Sequence, residues 1–404
     1  MFKQSRLTLV RLFSRRGAIP LTFIFLLIVF YDEFVYAVGY SALPSIRADL
    51  GLTYAQIGLL LGLPGIINTF IEPVLMLLGD TPLRKVLILG GGIGMALTAF
   101  LVAGAQAFSI FLLAEILTFP SSGAFVTLSQ ATLMDLNPGR EGQMMARWSL
   151  SGSLANLIAP LAVAGGFALG WGWRWAYVCL GVWGAVLVWM VGRQRFPTHP
   201  QAENHKRLGV VGVLRELLCG LWDTLCNAKL LRWIILLDLS DLLLDIFTGY
   251  AALYFADVAG LSDAQVALVL SLMMLSSLAS DVIAIPLLEK FNGRAIVRLS
   301  AAVVIPLYVA FLLAPWPLVK IGLVLLVEFC TMGWYSVMEG EAFAAAPGRS
   351  GTVKAIGSLS GLFVGVLIGF LGWFAEAVSL PAMMWLLLAG PLALVLFVPR
   401  PVVE

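Results

Sequence analysis

Charge, histidine and cysteine are scarce in this 404-residue chain, and each scarcity closes off a class of function. Only 12% of the residues are charged, about half the ~25% of a soluble globular domain, so neither a water-soluble enzyme nor a nucleic-acid-binding module fits. The two histidines, His199 and His205, share one polar stretch, which leaves no histidine for a metal site or proton relay inside the apolar segments. Four cysteines, Cys179, Cys219, Cys226 and Cys330, are scattered without metal-ligand or disulfide spacing and read as packing residues. The ten-residue alternating segments of a β-barrel do not occur. The glycine clusters GLGWGW and GGGIG lie in helical rather than strand-to-helix context, so no phosphate loop, no ATP-driven pump and no cofactor are expected.

What the chain has instead is apolar length. Sixty per cent of its residues are hydrophobic and its mean hydropathy is +0.97. Apolar runs of the ~20 residues needed to span a bilayer follow one another almost from end to end. Turn and charge punctuation predicts twelve: 18–44, 54–79, 84–105, 108–133, 142–168, 173–191, 230–256, 263–288, 294–314, 318–338, 351–377 and 381–398. The cationic start, with Lys3, Arg6, Arg11, Arg15 and Arg16, precedes a run too long for a signal peptide and lacks a small-residue cleavage site. Residues 208–227 carry an apolar stripe opposite Arg215, Glu216 and Asp223, as in a helix lying on a membrane surface. Of the 25 lysines and arginines, 22 fall on the side of the N-terminus, leaving Arg47, Arg174 and Lys320 opposite. By the positive-inside rule both termini are cytoplasmic, in a multi-pass protein of the plasma or inner membrane. Trp171, Trp173 and Trp175 read as an aromatic belt at the outer interface.

The chain repeats itself at one offset. Pro138-Gly139-Arg140-x-Gly142 returns as Pro347-Gly348-Arg349-x-Gly351, Leu150-Ser151-Gly152 as Leu359-Ser360-Gly361, and Gly51-Leu52-Thr53-Tyr54-Ala55-Gln56 as Gly260-Leu261-Ser262-Asp263-Ala264-Gln265, each 209 residues later. The expected fold is therefore all-α and integral to the membrane, with twelve transmembrane helices in two pseudo-symmetric six-helix bundles. Residues 1–192 and 230–404 form the bundles, and 193–229 a cytosolic linker with the amphipathic helix. A central site is expected between the bundles near the bilayer midplane.

The loop Gly79-Asp80-Thr81-Pro82-Leu83-Arg84-Lys85 resembles the signature G-x-x-x-D-R-x-G-R-K of the major facilitator superfamily. Asp80, Arg84 and Lys85 match; Met76, Thr81 and Leu83 replace its first glycine, first arginine and second glycine. Glu289-Lys290-Phe291-Asn292-Gly293-Arg294 is a degenerate second copy. The resemblance covers nearly the whole chain and implies a secondary transporter, not an enzyme. It also implies a cytosolic latch role for Asp80, Arg84 and Lys85, the acid facing a helix N-terminus and the basic residues bridging nearby acids. Gly152, Ala159-Pro160 and Gly165-Gly166 approximate the helix 5 pattern of the drug:proton antiporter branch. The arginine which that branch places in helix 4 is missing, and Glu115 is the only charged residue there.

Carboxylates inside apolar helices cost several kcal/mol to insert and mark candidate sites. Asp238, Asp241 and Asp245 share one helical stripe, and the repeat pairs Asp241 with Asp32, making these two the expected midplane pair. Asp32 and Glu33 point ~100° apart, so at most one faces a cavity squarely. Tyr36 continues the face of Asp32, and Tyr40 that of Glu33. Glu115 and Glu328 either face the cavity or snorkel outward. Glu72 and Asp281, paired by the repeat, together with Glu289 and Arg294, are expected in gating contacts at the cytosolic ends. No basic residue lies deep in a span, so these acids favour a cation or a proton over an anion. The expected function is proton-coupled export, by antiport, of a cationic or amphipathic small molecule by a monomer in the lipid bilayer. The rival readings are transport of a neutral, sugar-like solute or a metal cation, flipping of a lipid or lysolipid, and an intramembrane aspartate protease. The protease is disfavoured because the repeat suits alternating access better than one asymmetric dyad.

Overall fold

A computed structural model of the chain describes residues 21–79, 83–137, 141–194, 227–331, 333–345 and 350–400. The surface helix expected over 208–227 lies almost wholly outside the described residues. The described helices join into twelve rods. In the N-terminal half these are α1 (Leu21–Leu50), α2 (Tyr54–Gly79), α3 (Arg84–Ala103), α4 (Phe108–Ser122, Gly123–Thr127 and Leu128–Asp135), α5 (Glu141–Ala168) and α6 (Trp173–Gly192). In the C-terminal half they are α7 (Ala228–Asp241, Leu242–Ile246 and Phe247–Asp257), α8 (Asp263–Lys290), α9 (Gly293–Leu313), α10 (Pro317–Cys330 and Trp334–Ala345), α11 (Ser350–Ala377) and α12 (Leu380–Leu386 and Ala389–Phe397). Among the described residues ten are long and apolar enough to cross a membrane. The other two are α7, which carries the three aspartates, and α11, whose described apolar part is Gly361–Ala377. We call the face where α1 begins the basic face and the other the opposite face.

The helix ends explain one of the repeats. Gly51 and Gly260 both have positive φ, +62° and +70°, a backbone conformation that favours glycine. Each is followed by a capping box. Thr53 N–H donates to Gln56 Oε1 at 3.0 Å and Gln56 N–H to Thr53 Oγ1 at 3.2 Å. Ser262 N–H donates to Gln265 Oε1 at 2.9 Å, with Gln265 N–H reaching back to Ser262 Oγ at 3.4 Å. The repeated hexapeptide is thus a left-handed turn plus a reciprocal cap, starting α2 and α8.

Four helices depart from regular expected spans for identifiable reasons. α1 runs through Pro44 to Leu50, since the hydrogen bond that a proline cannot donate is tolerated where neighbouring helices shield the backbone. α4 and α7 each contain a π-helical segment, Gly123–Thr127 and Leu242–Ile246. α10 is interrupted between Cys330 and Trp334, where Gly333 has φ +70°. Shifted by the repeat, the α4 segment falls on the α10 interruption, so the two related helices are irregular at the same depth. Irregular backbone inside a membrane is found where it is buried in protein or lines a cavity.

Between the halves, α2 packs along α11, α5 along α8, and the end of α7 along α1. The α2–α11 contact is backbone to backbone. A Cβ added at Gly58 would lie 2.9 Å from Gly372 Cα, and one at Gly62 would lie 2.5 Å from Gly365 O. On the opposite face Arg47 pairs with Asp257, the Tyr54 hydroxyl donates to Asp257 at 2.7 Å, and Tyr54 N–H donates to Glu376 at 2.8 Å. The Arg47 guanidinium also stacks 4.2 Å from the Tyr54 ring centre. Leu97, Val86, Leu299 and Val366, each more than 60% exposed, show where the rods face lipid.

The opposite face also departs from the expected aromatic belt. Trp171 and Trp175 are exposed, but Trp173 is buried and its indole N–H donates to Asp49 at 3.2 Å. Lys320 is buried as well: its ammonium donates to the Tyr254 hydroxyl at 2.7 Å and to the Phe311 and Leu312 carbonyls at 2.9 and 3.2 Å, capping the end of α9.

Candidate functional site

A cavity of about 680 Å³ lies between the halves. Its walls extend from Tyr40 and Thr248 to Leu288 at the basic end of α8, while the Arg47–Asp257 and Tyr54–Glu376 contacts close the opposite face. From α1 it takes Glu33, Tyr36, Ala37, Tyr40 and Ser41, a continuous helical stripe. From α7 it takes Asp241, Leu244, Asp245 and Thr248. Shifted back by 209, the α7 stripe falls on 32, 35, 36 and 39. The two lining faces are therefore one residue, ~100°, out of register.

That displacement separates the repeat-related acids. Asp241 lines the cavity, while Asp32 turns into the N-terminal half, is 8% exposed, and accepts a 2.7 Å hydrogen bond from Ser122 Oγ at the start of the α4 π segment. The cavity acid of α1 is Glu33, whose carboxylate accepts from Asn156 Nδ2 at 3.0 Å. Gly152 of α5 leaves room for it: a Cβ there would lie 3.1 Å from Glu33 Cγ. Asp245, inside the π segment of α7, is within electrostatic reach of Glu33, Asp241 and Glu328. Asp238 is buried and does not line the cavity.

Glu328 of α10 completes the acidic set. It is 3% exposed, lines the cavity one turn before the α10 interruption, and its Oε1 has no hydrogen-bond partner. Thr331 at the break also lines the cavity and donates to the Glu328 carbonyl at 2.8 Å. Four carboxylates thus meet one polar volume, with Tyr36, Tyr40, Trp334 and Tyr335 as aromatic surface and Asn156, Ser277 and Ser280 as neutral polar groups. No lysine, arginine or histidine lines it among the described residues. Among the described residues, no three histidine, cysteine, aspartate or glutamate side chains gather in an arrangement that could hold a metal ion. Glu115 faces a separate small cavity that Tyr36 and Tyr40 also line.

The loop residues, as far as they are described, hold helix ends. Arg84 Nε donates to the Gly79 carbonyl at 2.6 Å. Lys85 donates to the Gly192 and Gln194 carbonyls at 3.1 and 2.7 Å, closing the end of α6. Glu72 accepts from Asn68 at 3.1 Å beside Gly123 of the α4 π segment. Arg294 holds Glu341 through two parallel bonds of 2.5 and 2.7 Å. Asp80 and the side chains of Asp281 and Glu289 lie outside the described residues. Sequence reasoning passed over Asn156, Glu341, Asp257 and Glu376. Asn156 and Glu376 lie in predicted spans, where a polar residue is a signal in itself.

Membrane-length helices around a central polar cavity, closed toward one face and extending toward the other, are the build of a transporter rather than an enzyme. Residues 22–369 match the sequence profile of the Major Facilitator Superfamily. The chain belongs to that family. Its fold is similar to a mutant form of the nucleoside transporter NupG (TM-score 0.77, 15% identity, covering 93% of this chain and 98% of that one). It is also similar to a bacterial homologue of the human lysosomal transporter Spinster, inward-facing and occupied (0.67, 16%, 94% and 92%), and to the peptide transporter POT in complex with sulfate (0.69, 14%, 93% and 93%). No curated protein matches the chain in sequence.

Proposed function

We propose that the chain exports a cationic or amphipathic small molecule in exchange for protons, by rocking of its two halves about the central cavity, with both termini in the cytoplasm. The observation that carries this reading is the cavity's charge: Glu33, Asp241, Asp245 and Glu328 line it and no basic side chain does among the described residues. Four carboxylates that share a poorly solvated volume repel one another, and either a cation or protons relieve that repulsion. The two compete for one set of oxygens, which is the minimal requirement for antiport. On this reading the observed state opens to the cytoplasm, and the drug:proton antiporter branch supplies the functional analogy.

A second reading, transport of a neutral polyhydroxylated solute, is favoured by the hydroxyl and amide groups of Tyr36, Tyr40, Asn156 and Thr248 on the same walls. Purified protein in liposomes with an internal pH dye separates the two. Tetraphenylphosphonium or ethidium is expected to drive proton movement that Asp241→Asn abolishes. Accumulation of a sugar or nucleoside without any cation-driven proton flux overturns the first reading in favour of the second.

A further inference from the structure

Glu115 stands apart from the four cavity acids. It lies on the inward stripe of α4 with Phe111, Thr118 and Ser122, all buried, whereas Ile110, Leu113 and Leu117 on the other side face lipid. It therefore points into the protein and does not snorkel. The space it faces is a small pocket of about 60 Å³, above the ~10–15 Å³ that an ordered water requires. Among the described residues its carboxyl has no hydrogen-bond partner and no carboxylate neighbour.

This pocket shares part of its wall with the main cavity. Tyr36 and Tyr40 of α1 line both volumes. The Tyr40 hydroxyl is within electrostatic reach of Glu33 and Asp245 on one side and Glu115 on the other. Tyr36 is likewise placed between Asp32 and Glu115. Tyr177 of α6 is the remaining titratable group that faces Glu115. α2 contributes only Leu60 and Leu61 to the pocket, and α3, which packs on α4, carries no titratable residue beyond Lys85.

The outer wall depends on the C-terminal half. Gly249 of α7 sits against Leu61 and Tyr40, close enough that a Cβ there would lie 3.4 and 3.5 Å from them. On the rocking motion proposed above, parting of the halves at the opposite face draws α7 away from both wall residues. We propose that Glu115 is a second, separate proton-binding site, screened from the main cavity by Tyr36 and Tyr40 and exchanging with the opposite face when α7 withdraws. This inference rests on the proton-coupled reading and adds to it a proton site distinct from the cation site.

Infrared difference spectroscopy tests it without any substrate. In wild type minus Glu115→Gln spectra, a carboxyl C=O band that titrates with pH is expected. Its exchange into heavy water should be slow in wild type and about fivefold faster in Asp257→Asn, which loosens the opposite-face contact. A band shifted in Glu115→Asp secures the assignment if the glutamine variant does not fold. The proposal is overturned if no titrating band disappears with Glu115, or if exchange ignores Asp257→Asn and responds only to Tyr40→Ala, which makes the main cavity the route. Because no transported compound enters the experiment, its outcome is independent of whether the liposome assay finds antiport.

Discussion

Adding one methyl group at Gly62 is expected to push the protein toward the state open at the opposite face. The added Cβ would lie 2.5 Å from Gly365 O, backbone that has no rotamer to move aside. Ordinary contact begins near ~3.4 Å, so α2 and α11 must separate locally by about 0.9 Å, and overpacking of this kind costs about 1–3 kcal/mol. The penalty falls only on the state in which α2 and α11 touch. The equilibrium therefore shifts by about 5- to 150-fold. Nitroxides at Gln106 and Pro315, on opposite-face loops of the two halves, report the shift as a longer distance population in double electron–electron resonance. Gly369→Ala is the control. It sits on the partner helix α11 at similar depth, between Gly365 and Gly372, and its Cβ meets nothing within 4 Å. If Gly62→Ala leaves the distances unchanged, or Gly369→Ala changes them as much, the helix contact does not control the face.

Other perturbations test other parts of the structure. Arg47→Ala removes the pairing with Asp257 and the stacking on Tyr54, so the same nitroxide pair should lengthen, by a shift worth about 1–2 kcal/mol; unchanged distances would show the contact to be incidental. Asp32→Asn preserves an acceptor for Ser122 and should keep most cation-driven transport in liposomes, while Asp241→Asn should lose it; equal loss in both would return Asp32 to the binding site. Arg294→Met strands the half-buried Glu341 and should lower stability by about 1–3 kcal/mol. Arg294→Met with Glu341→Met should recover part of it in thermal unfolding, and no recovery would mean that the pair is not the cause.

Much of this was legible in the sequence because membrane insertion leaves few choices. Apolar length, turn residues and the 209-residue repeat placed most helices to within a few residues, the ends of α1 and α10 excepted, and the glycine-turn hexapeptide marked two of their starts. The acids were legible as a set, since carboxylates in apolar runs need a reason. Which of them meet the cavity was not, because a facing relation depends on helix rotation. The repeat preserved the numbering of Asp32 and Asp241 but not their azimuth, and a one-residue turn sent Asp32 to Ser122 and brought Glu33 to the cavity. Pro44 reads as a helix end in sequence, yet α1 continues through it. The deeper role of Glu115 depended on two tyrosines shared by adjoining volumes, a relation between helices that no local pattern records.

The one-residue displacement of the lining stripes has a consequence for any ligand. The N-terminal wall offers one acid among two tyrosines and an amide, and the C-terminal wall offers three acids. The site is therefore polar across its width, although the two halves descend from one repeated pattern. A positively charged ligand is drawn off the pseudo-symmetry axis toward α7 and α10, and an elongated one with charge at a single end enters the same way round each time. Duplication gave the protein two similar walls, and a small rotation gave its cavity a preferred orientation.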